Sequence, residues 1–236
     1  MTEDKSIKPD NKVIEASDDA AAQAFLVEQL NQVEQKLKAL PPNANAVDCA
    51  NLLLEKANAQ LGLGQNVEAW NTAREAFDVF VQYEHWPQAV EASDILYQCD
   101  QPASIKALAH GIWLSVTYPI DPEHSIVMLN YMIDETPAKS DGAAVAAATA
   151  HYIVGLRATD ENHDSLSFLT TNMIAKVAQR HSDVKSQEAL DFWMDRLELK
   201  DPAKFLPRMG MVLNAIVEEG QWWFDRDALR AKLPVN

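Results

Sequence analysis

Cysteine and glycine are both scarce in this sequence. Of its 236 residues, two are cysteines and seven are glycines. Cys49 and Cys99 stand far apart in apolar contexts, which predicts buried thiols in a reducing compartment rather than a disulfide framework. The low glycine count, combined with many alanines and an apolar fraction of 47%, favours a helical globular protein.

Positive charge is scarce as well. Lysine and arginine together number 20, against 35 aspartates and glutamates, so the formal net charge is −15. Proteins that grip nucleic acid or an anionic membrane need clustered basic residues, and this composition argues against both functions. The imbalance is uneven, because residues 1–100 carry ten of the fifteen net negative charges.

Long apolar runs are missing too. No run reaches the eighteen residues that a membrane-spanning helix needs. The first ten residues, MTEDKSIKPD, are polar and unlike a secretory signal. We therefore expect a soluble, cytoplasmic protein. Residues 1–17 are polar and without periodicity, which predicts a disordered tail, and residues 18–236 are expected to form a single α-helical domain.

Sequence patterns of catalysis are also absent. There is no glycine-rich phosphate loop, no G-x-S-x-G elbow and no Cys-x-x-Cys pair. No histidine stands three or four positions from another histidine or from a glutamate, the pairing that helical metal sites use, and the nearest pattern is an aspartate three positions before a histidine, as in Asp160-x-x-His163. We therefore expect no enzymatic activity, no metal and no cofactor.

What the sequence does contain is helical periodicity, and it predicts an all-α fold of about ten antiparallel helices. The segment from Val67 to Gln82 has apolar residues at spacings of three, four and seven: Ala69, Ala73, Ala76, Phe77 and Phe80. Asp121-Pro122 and Asp201-Pro202 each combine an N-cap with a first-turn proline and predict helix starts. An alanine-rich helix from about Ala143 is expected to be central, since neighbours can approach it closely.

Residues 50–99 resemble tetratricopeptide-type helical repeats. Ala69 matches the alanine of the second repeat helix, and Ala57 matches the small residue of the first. Ala89 and Leu96 fit the second-helix pattern again. The spacing departs from the family, because Ala69 and Ala89 are twenty residues apart and the repeat period is thirty-four. The resemblance implies stacked helical hairpins, as an α-solenoid or an irregular bundle, and a role in protein binding.

The N-terminal helix carries a narrow apolar seam in which spacings of four and three alternate. Such a seam is typical of a helix that pairs with another helix. It predicts either a homodimer contact or a terminal helix lying against the rest of the bundle. The seam residues are Leu26, Leu30, Val33 and Leu37.

Acidic and aromatic side chains are the best candidates for binding a partner. Exposed tryptophan is typical of interfaces, and a line of glutamates would select a basic partner. The alternatives are a solvated face for the glutamates and hydrophobic packing for the tryptophans. The candidates are Glu68, Glu75, Glu84, Trp86, Glu91, Trp222 and Trp223.

The favoured interpretation is a non-enzymatic helical scaffold or adaptor that binds another protein through an acidic, aromatic surface. One alternative is a small-ligand protein or enzyme with a pocket near the alanine-rich helix, formed by His110, Trp113 and His151. Another is an acidic mimic of nucleic acid, which the interspersed lysines and abundant apolar helix faces count against.

Overall fold

A computed structural model describes residues 11–218 and 220–233 of the chain. Within those residues the fold is all-α, as predicted, with eleven helices and no strand. In chain order these are α1 Asn11–Ala39, α2 Ala46–Gly62, α3 Asn66–Gln82, α4 Trp86–Gln98, α5 Ser104–Thr117, α6 Pro122–Glu135, α7 Asp141–Arg157, α8 His163–Ser182, α9 Gln187–Arg196, α10 Pro202–Val217 and α11 Arg226–Arg230.

The two predicted Asp-Pro helix starts are confirmed. The Asp121 carboxylate accepts a hydrogen bond from the Glu123 backbone N–H at 2.8 Å, and Asp201 does the same for Ala203 at 3.0 Å. Each carboxylate thus satisfies an N–H group that has no partner within its helix. The following proline lacks the N–H that would otherwise need one.

Helices α3 and α4 form the alanine-lined hairpin that the sequence indicates. All five residues of the predicted inward line of α3 are fully buried. On α4 the small residues Ala89, Ala92 and Ser93 are also fully buried, next to Leu96. Because these small side chains add little width, the two helices approach closely and bury their larger neighbours between them.

Consecutive helices pack against each other, and alternate helices form a layer. Helix α4 contacts both α2 and α6, and α6 also contacts α8. Ala69 on α3 and Ala89 on α4 therefore belong to different layers, which accounts for their separation of twenty residues. The alanine-rich helix α7 is central, as expected: it packs against α6, α8 and α10, and residues 142–150 are all buried.

Glycine at position 111 is required by a close approach of three helices. A Cβ atom there would lie 2.4 Å from the Met128 methyl carbon on α6 and 2.7 Å from the Ser93 Cβ on α4. Gly155 on α7 is the opposite case, because no atom lies within 4 Å of the corresponding Cβ position.

The N-terminal seam packs on α2 of the same chain. Val33 is buried, while Leu26, Leu30 and Leu37 are half-buried. Leu26 lies close enough to α2 that a Cβ atom on Gly62 would be 2.9 Å from its Cδ1. Ion pairs flank this contact: Lys56 with Glu34 at 3.2 Å, and Lys36 with Glu55 at 3.6 Å. A second copy could use the seam only if α1 left α2.

Helix α1 is described over Asn11–Ala39, which includes residues 11–17 of the predicted tail, and residues 1–10 of that tail lie outside the described residues. Helix α10 ends at Val217, because Glu218 has a φ of +67° and leaves the helical conformation. The chain then turns at Gly220, whose φ of +76° favours glycine.

Candidate protein-binding surfaces

An open groove runs between α6 and α8, on the layer formed by the even-numbered helices. Its volume is about 610 Å³. The two helices flank α7, which packs against both and holds them apart. Apolar side chains from both helices line it, including the buried Ile126, Ile133, Met173 and Val177.

Two apolar residues on the groove walls are exposed to solvent. Val127 on α6 is 39% exposed and Leu169 on α8 is 46% exposed. Exposed apolar side chains in a concave site next to a buried apolar floor are typical of a surface that another molecule covers. These residues make the groove a candidate binding site.

The polar side chains of the groove are distributed unequally between its walls. The α6 wall carries Asn130 and Asp134, and the Asn130 amide donates to the Asp134 carboxylate at 3.2 Å. The α8 wall carries Asn172 and the cations Lys176 and Arg180. One wall is therefore acidic and the other basic toward the same end of the groove.

The Arg180 side chain also fixes the geometry of the two walls. Its guanidinium donates to the backbone carbonyl of Ile133, near the C-terminus of α6, at 2.8 Å. Arg180 itself lies near the C-terminus of α8. Since both C-termini lie at the same end, α6 and α8 run parallel, as expected for helices separated by one antiparallel neighbour.

A second feature is an aromatic cluster that joins α3 and α5 to residues 220–233, here named the C-terminal strap. The His110 ring on α5 stacks on Trp223, with centroids 4.2 Å apart and planes inclined by 19°. Trp222 and Phe224 lie 4.9 and 5.5 Å from the same ring. Phe77 on α3 meets Trp223 edge-on at 5.4 Å. Such contacts add to the area that aromatic rings bury.

His110 is fully buried and carries two hydrogen bonds. Its Nε2 accepts from the Trp223 backbone N–H at 3.0 Å, so this nitrogen carries no proton. Nδ1 therefore bears the hydrogen and donates to the Lys106 carbonyl. The pKa of His110 is lowered to about 4. Burial is the largest cause and the nearby cations Arg74, Arg226 and Lys106 contribute, while the hydrogen bond to the Lys106 carbonyl opposes them.

Basic side chains hold the strap from both sides. Arg74 lies 4.0 Å above the Trp223 ring and Arg226 lies 4.0 Å above the Trp222 ring. These distances fit cation–π interactions. Lys232 pairs with Glu84 in the turn between α3 and α4, so the strap reaches back to a turn 148 positions earlier in the chain.

The predicted binding residues are distributed over α3, the following turn, α4 and the strap. Glu68 and Glu75 are exposed on α3, Glu84 lies in the following turn, and Glu91 is exposed on α4. Trp86 is half-buried and stacks on Tyr118, with centroids 4.0 Å apart and planes 9° apart. The exposed glutamates remain candidates for a basic partner.

Trp222 and Trp223 are half-buried, and the structure places them in the strap cluster rather than on an open face. Their rings contact α3 and α5 and are covered by arginines. Of the two interpretations of these tryptophans, the geometry corresponds to hydrophobic packing that closes the helical stack.

The residues of the alternative pocket are separated. His110 and Trp113 are buried beside the strap, and Trp113 lies 5.3 Å from Phe224. His151 is an exposed residue on α7 whose Nδ1 lies 2.9 Å from the Thr170 hydroxyl on α8. The structure therefore does not bring His151 to the other two.

A serine, a histidine and an aspartate meet where the N-terminus of α7 lies beside the C-terminus of α8. His181 Nε2 lies 3.2 Å from Asp141, and its Nδ1 lies 2.6 Å from the Ser182 hydroxyl. The same Nδ1 also accepts from the Trp193 indole N–H at 3.2 Å. Ser182 is the last residue of α8, where backbone carbonyls rather than N–H donors are left over. Arg196 also donates to the Ser182 hydroxyl at 3.5 Å, and Arg208 donates to Asp141 at 3.0 Å, so the network ties α7, α8, α9 and α10 together.

Among the side chains that the structure describes, which begin at residue 20, no group of three or more His, Cys, Asp or Glu could hold a metal ion. Among the described helices, none is long and apolar enough to cross a membrane.

The groove is the site that the sequence analysis missed. Its signal is a second apolar line on α8: Leu169, Met173 and Val177 follow one another at intervals of four. Leu166, Thr170 and Ile174 form a separate buried line on the same helix. Two such lines on one helix indicate two packing neighbours. In the described structure, other helices cover only part of the second line.

No family model, curated protein or solved structure matches this chain.

Proposed function

We propose that this protein is a non-enzymatic helical scaffold that binds an amphipathic helix of another protein in the groove between α6 and α8. The observation that carries the proposal is the groove itself, with a buried apolar floor, exposed Val127 and Leu169, and polar rims. An amphipathic helix recognises such a groove by laying residues i, i+3 or i+4, and i+7 on the apolar floor.

The dimensions fit a short helix. The lining residues span positions 126–134 of α6 and 169–180 of α8. At 1.5 Å per residue these stretches are about 12 and about 17 Å long, which corresponds to about three turns of an occupant helix. The stacked hairpins, with alternate helices in one layer, are consistent with a tetratricopeptide-like scaffold and add support.

The overall charge favours a partner that is basic outside the docked helix. A net charge of −15 attracts cationic proteins and speeds their association. The exposed Glu68, Glu75 and Glu91 are part of that field. Cys49 and Cys99 are both free thiols, which supports a reducing compartment such as the cytoplasm.

Designed peptides test the proposal directly. Fluorescein-labelled 14-residue amphipathic helices, with apolar residues at i, i+4, i+7 and i+11, are titrated with the protein while fluorescence anisotropy is recorded. We expect saturable binding that Leu169→Lys weakens at least about tenfold, because a charge then lies on the apolar rim.

Met211→Lys is the matched control, since Met211 is 64% exposed on α10 and lies outside the groove. It should bind as the unmodified protein does. Circular dichroism of both variants confirms that helicity is retained. If no peptide binds, or if both variants weaken binding equally, the groove is not the docking site and the proposal fails.

A further inference from the structure

The groove has a direction, because its two walls run parallel and its ends differ chemically. At one end lie the C-terminal turns of α6 and α8, where Arg180 bridges to the Ile133 carbonyl. The opposite end contains Val127 and Leu169, which are apolar and exposed. An occupant helix can therefore lie in two orientations that are not equivalent.

Charge distinguishes those orientations. Lys176 and Arg180 stand on the α8 wall at the C-terminal end of the groove, and Asp134 stands on the α6 wall. Acidic residues of an occupant would meet Lys176 and Arg180 if they lie at that end on the flank that faces α8. Basic residues would meet Asp134 on the other flank.

Helix dipoles favour one of the two orientations of the occupant. The C-terminal ends of α6 and α8 carry partial negative charge from the carbonyls of their last turns, although Arg180 offsets part of it at Ile133, and the N-terminus of any helix carries partial positive charge. An occupant antiparallel to α6 and α8 brings its N-terminus to this end. Acidic residues in its first turn are then favoured twice: by its own dipole and by the two cations of the α8 wall.

We infer that the groove selects an amphipathic helix with an acidic first turn, bound antiparallel to α6 and α8. This inference rests on the proposed function and adds the direction in which the partner helix binds at that site. The ligand chemistry is thus an apolar stripe of about three turns, preceded by aspartates or glutamates on the flank that meets Lys176.

Two peptides of identical composition provide the test. Both carry the same apolar stripe; one has glutamates in the first turn and lysines in the last, and the other has them exchanged. The two peptides also differ in intrinsic helicity, so the measured quantity is the ratio of their Kd values, compared between protein variants. Helicity cancels in that comparison because both proteins meet the same two peptides.

The unmodified protein should bind the acidic-first peptide more tightly. The ratio of the Kd of the exchanged peptide to the Kd of the acidic-first peptide should therefore exceed that of Lys176→Glu by about three- to tenfold, as expected for one reversed ion pair on a partly exposed rim. Lys38→Glu is the matched control, because it changes the net charge equally but lies exposed on α1, outside the groove. It should leave the ratio unchanged. In 1 M salt the ratio should fall as in Lys176→Glu, since screening removes the rim interaction.

The outcomes separate the two proposals. If neither peptide binds, the proposed function fails and the inference with it. If both peptides bind, Leu169→Lys weakens both and Lys176→Glu leaves the Kd ratio unchanged, the docking site stands and the inferred orientation is overturned. An equal effect of Lys176→Glu and Lys38→Glu overturns the inferred orientation as well, because the preference then reflects net charge alone.

Discussion

Acidification should loosen this protein through one buried side chain, His110. In the folded state the pKa of this ring is lowered to about 4, chiefly by burial, whereas an unfolded chain gives histidine a pKa of about 6.5. Between these values the unfolded state binds the proton and the folded state does not. The stabilisation is therefore complete above pH 6.5 and is lost as the pH falls from 6.5 to 4.

The magnitude follows from the difference in pKa. One unit corresponds to 1.36 kcal/mol, so the full loss below pH 4 is about 3 kcal/mol. At pH 5 about 2 kcal/mol is already lost. Protonation places a charge on Nε2, the atom that accepts from the Trp223 backbone N–H. Detachment of the strap would relieve this conflict, because His110 would then reach water.

Urea unfolding followed by circular dichroism, at intervals from pH 7 to pH 5, measures the effect. The unmodified protein should lose about 2 kcal/mol more free energy of unfolding over this range than His110→Gln, which has no ring to protonate. His151→Gln is the control. Partial desolvation also lowers the pKa of His151, but this residue is far more exposed than His110. The substitution should therefore change the pH dependence of the unfolding free energy less than His110→Gln does.

Tryptophan fluorescence reports the strap itself, because Trp222 and Trp223 leave the cluster if it detaches. A shift to longer wavelength should precede loss of helicity as the pH falls. Equal pH dependence in the unmodified protein and in His110→Gln would refute the reasoning. It would mean that water reaches the ring or that other groups dominate the acid response.

Two other sets of substitutions test the acidic surface and the packing. Reversing the charge of Glu68, Glu75 and Glu91 together should weaken binding of a basic partner and leave helicity intact; unchanged affinity in a pull-down would count against an acidic binding surface. Gly111→Ala should cost about 1–3 kcal/mol of unfolding free energy in urea titrations, since the added methyl has no space. Gly155→Ala should stabilise by up to about 1 kcal/mol, because its site is open and alanine favours helix; the reverse order of stabilities would contradict the packing described.

Helices were predictable where residue spacing and capping residues within the segment indicate them. The inward line of α3 follows from spacing alone, and the caps at Asp121 and Asp201 follow from an acidic residue before proline. The exact ends were less predictable. Helix α10 stops at Val217 because Glu218 adopts a positive φ, and no local signal distinguishes that residue from the acidic residues elsewhere in the chain.

The binding surfaces depend on contacts between distant parts of the chain, and spacing cannot reveal these. His110 and Trp223 are separated by 113 positions, yet they share a hydrogen bond and a stacked contact. The groove needs α6 and α8 side by side, which requires knowing that α7 lies behind both. The sequence supplied the apolar line of Leu169 and Met173, but not the identity of the helix that faces it.

The strap has a consequence for the order in which the protein assembles. Most helices contact their immediate neighbours in sequence, so these contacts can form while the chain is still being synthesised. The strap is different, because it covers a face of α3 and α5 that is made more than a hundred residues earlier. Until Trp222–Phe224 leave the ribosome, the aromatic side chains of that face stay open to solvent and to chaperones. The strap can thus close this face only after the helices beneath it have been made.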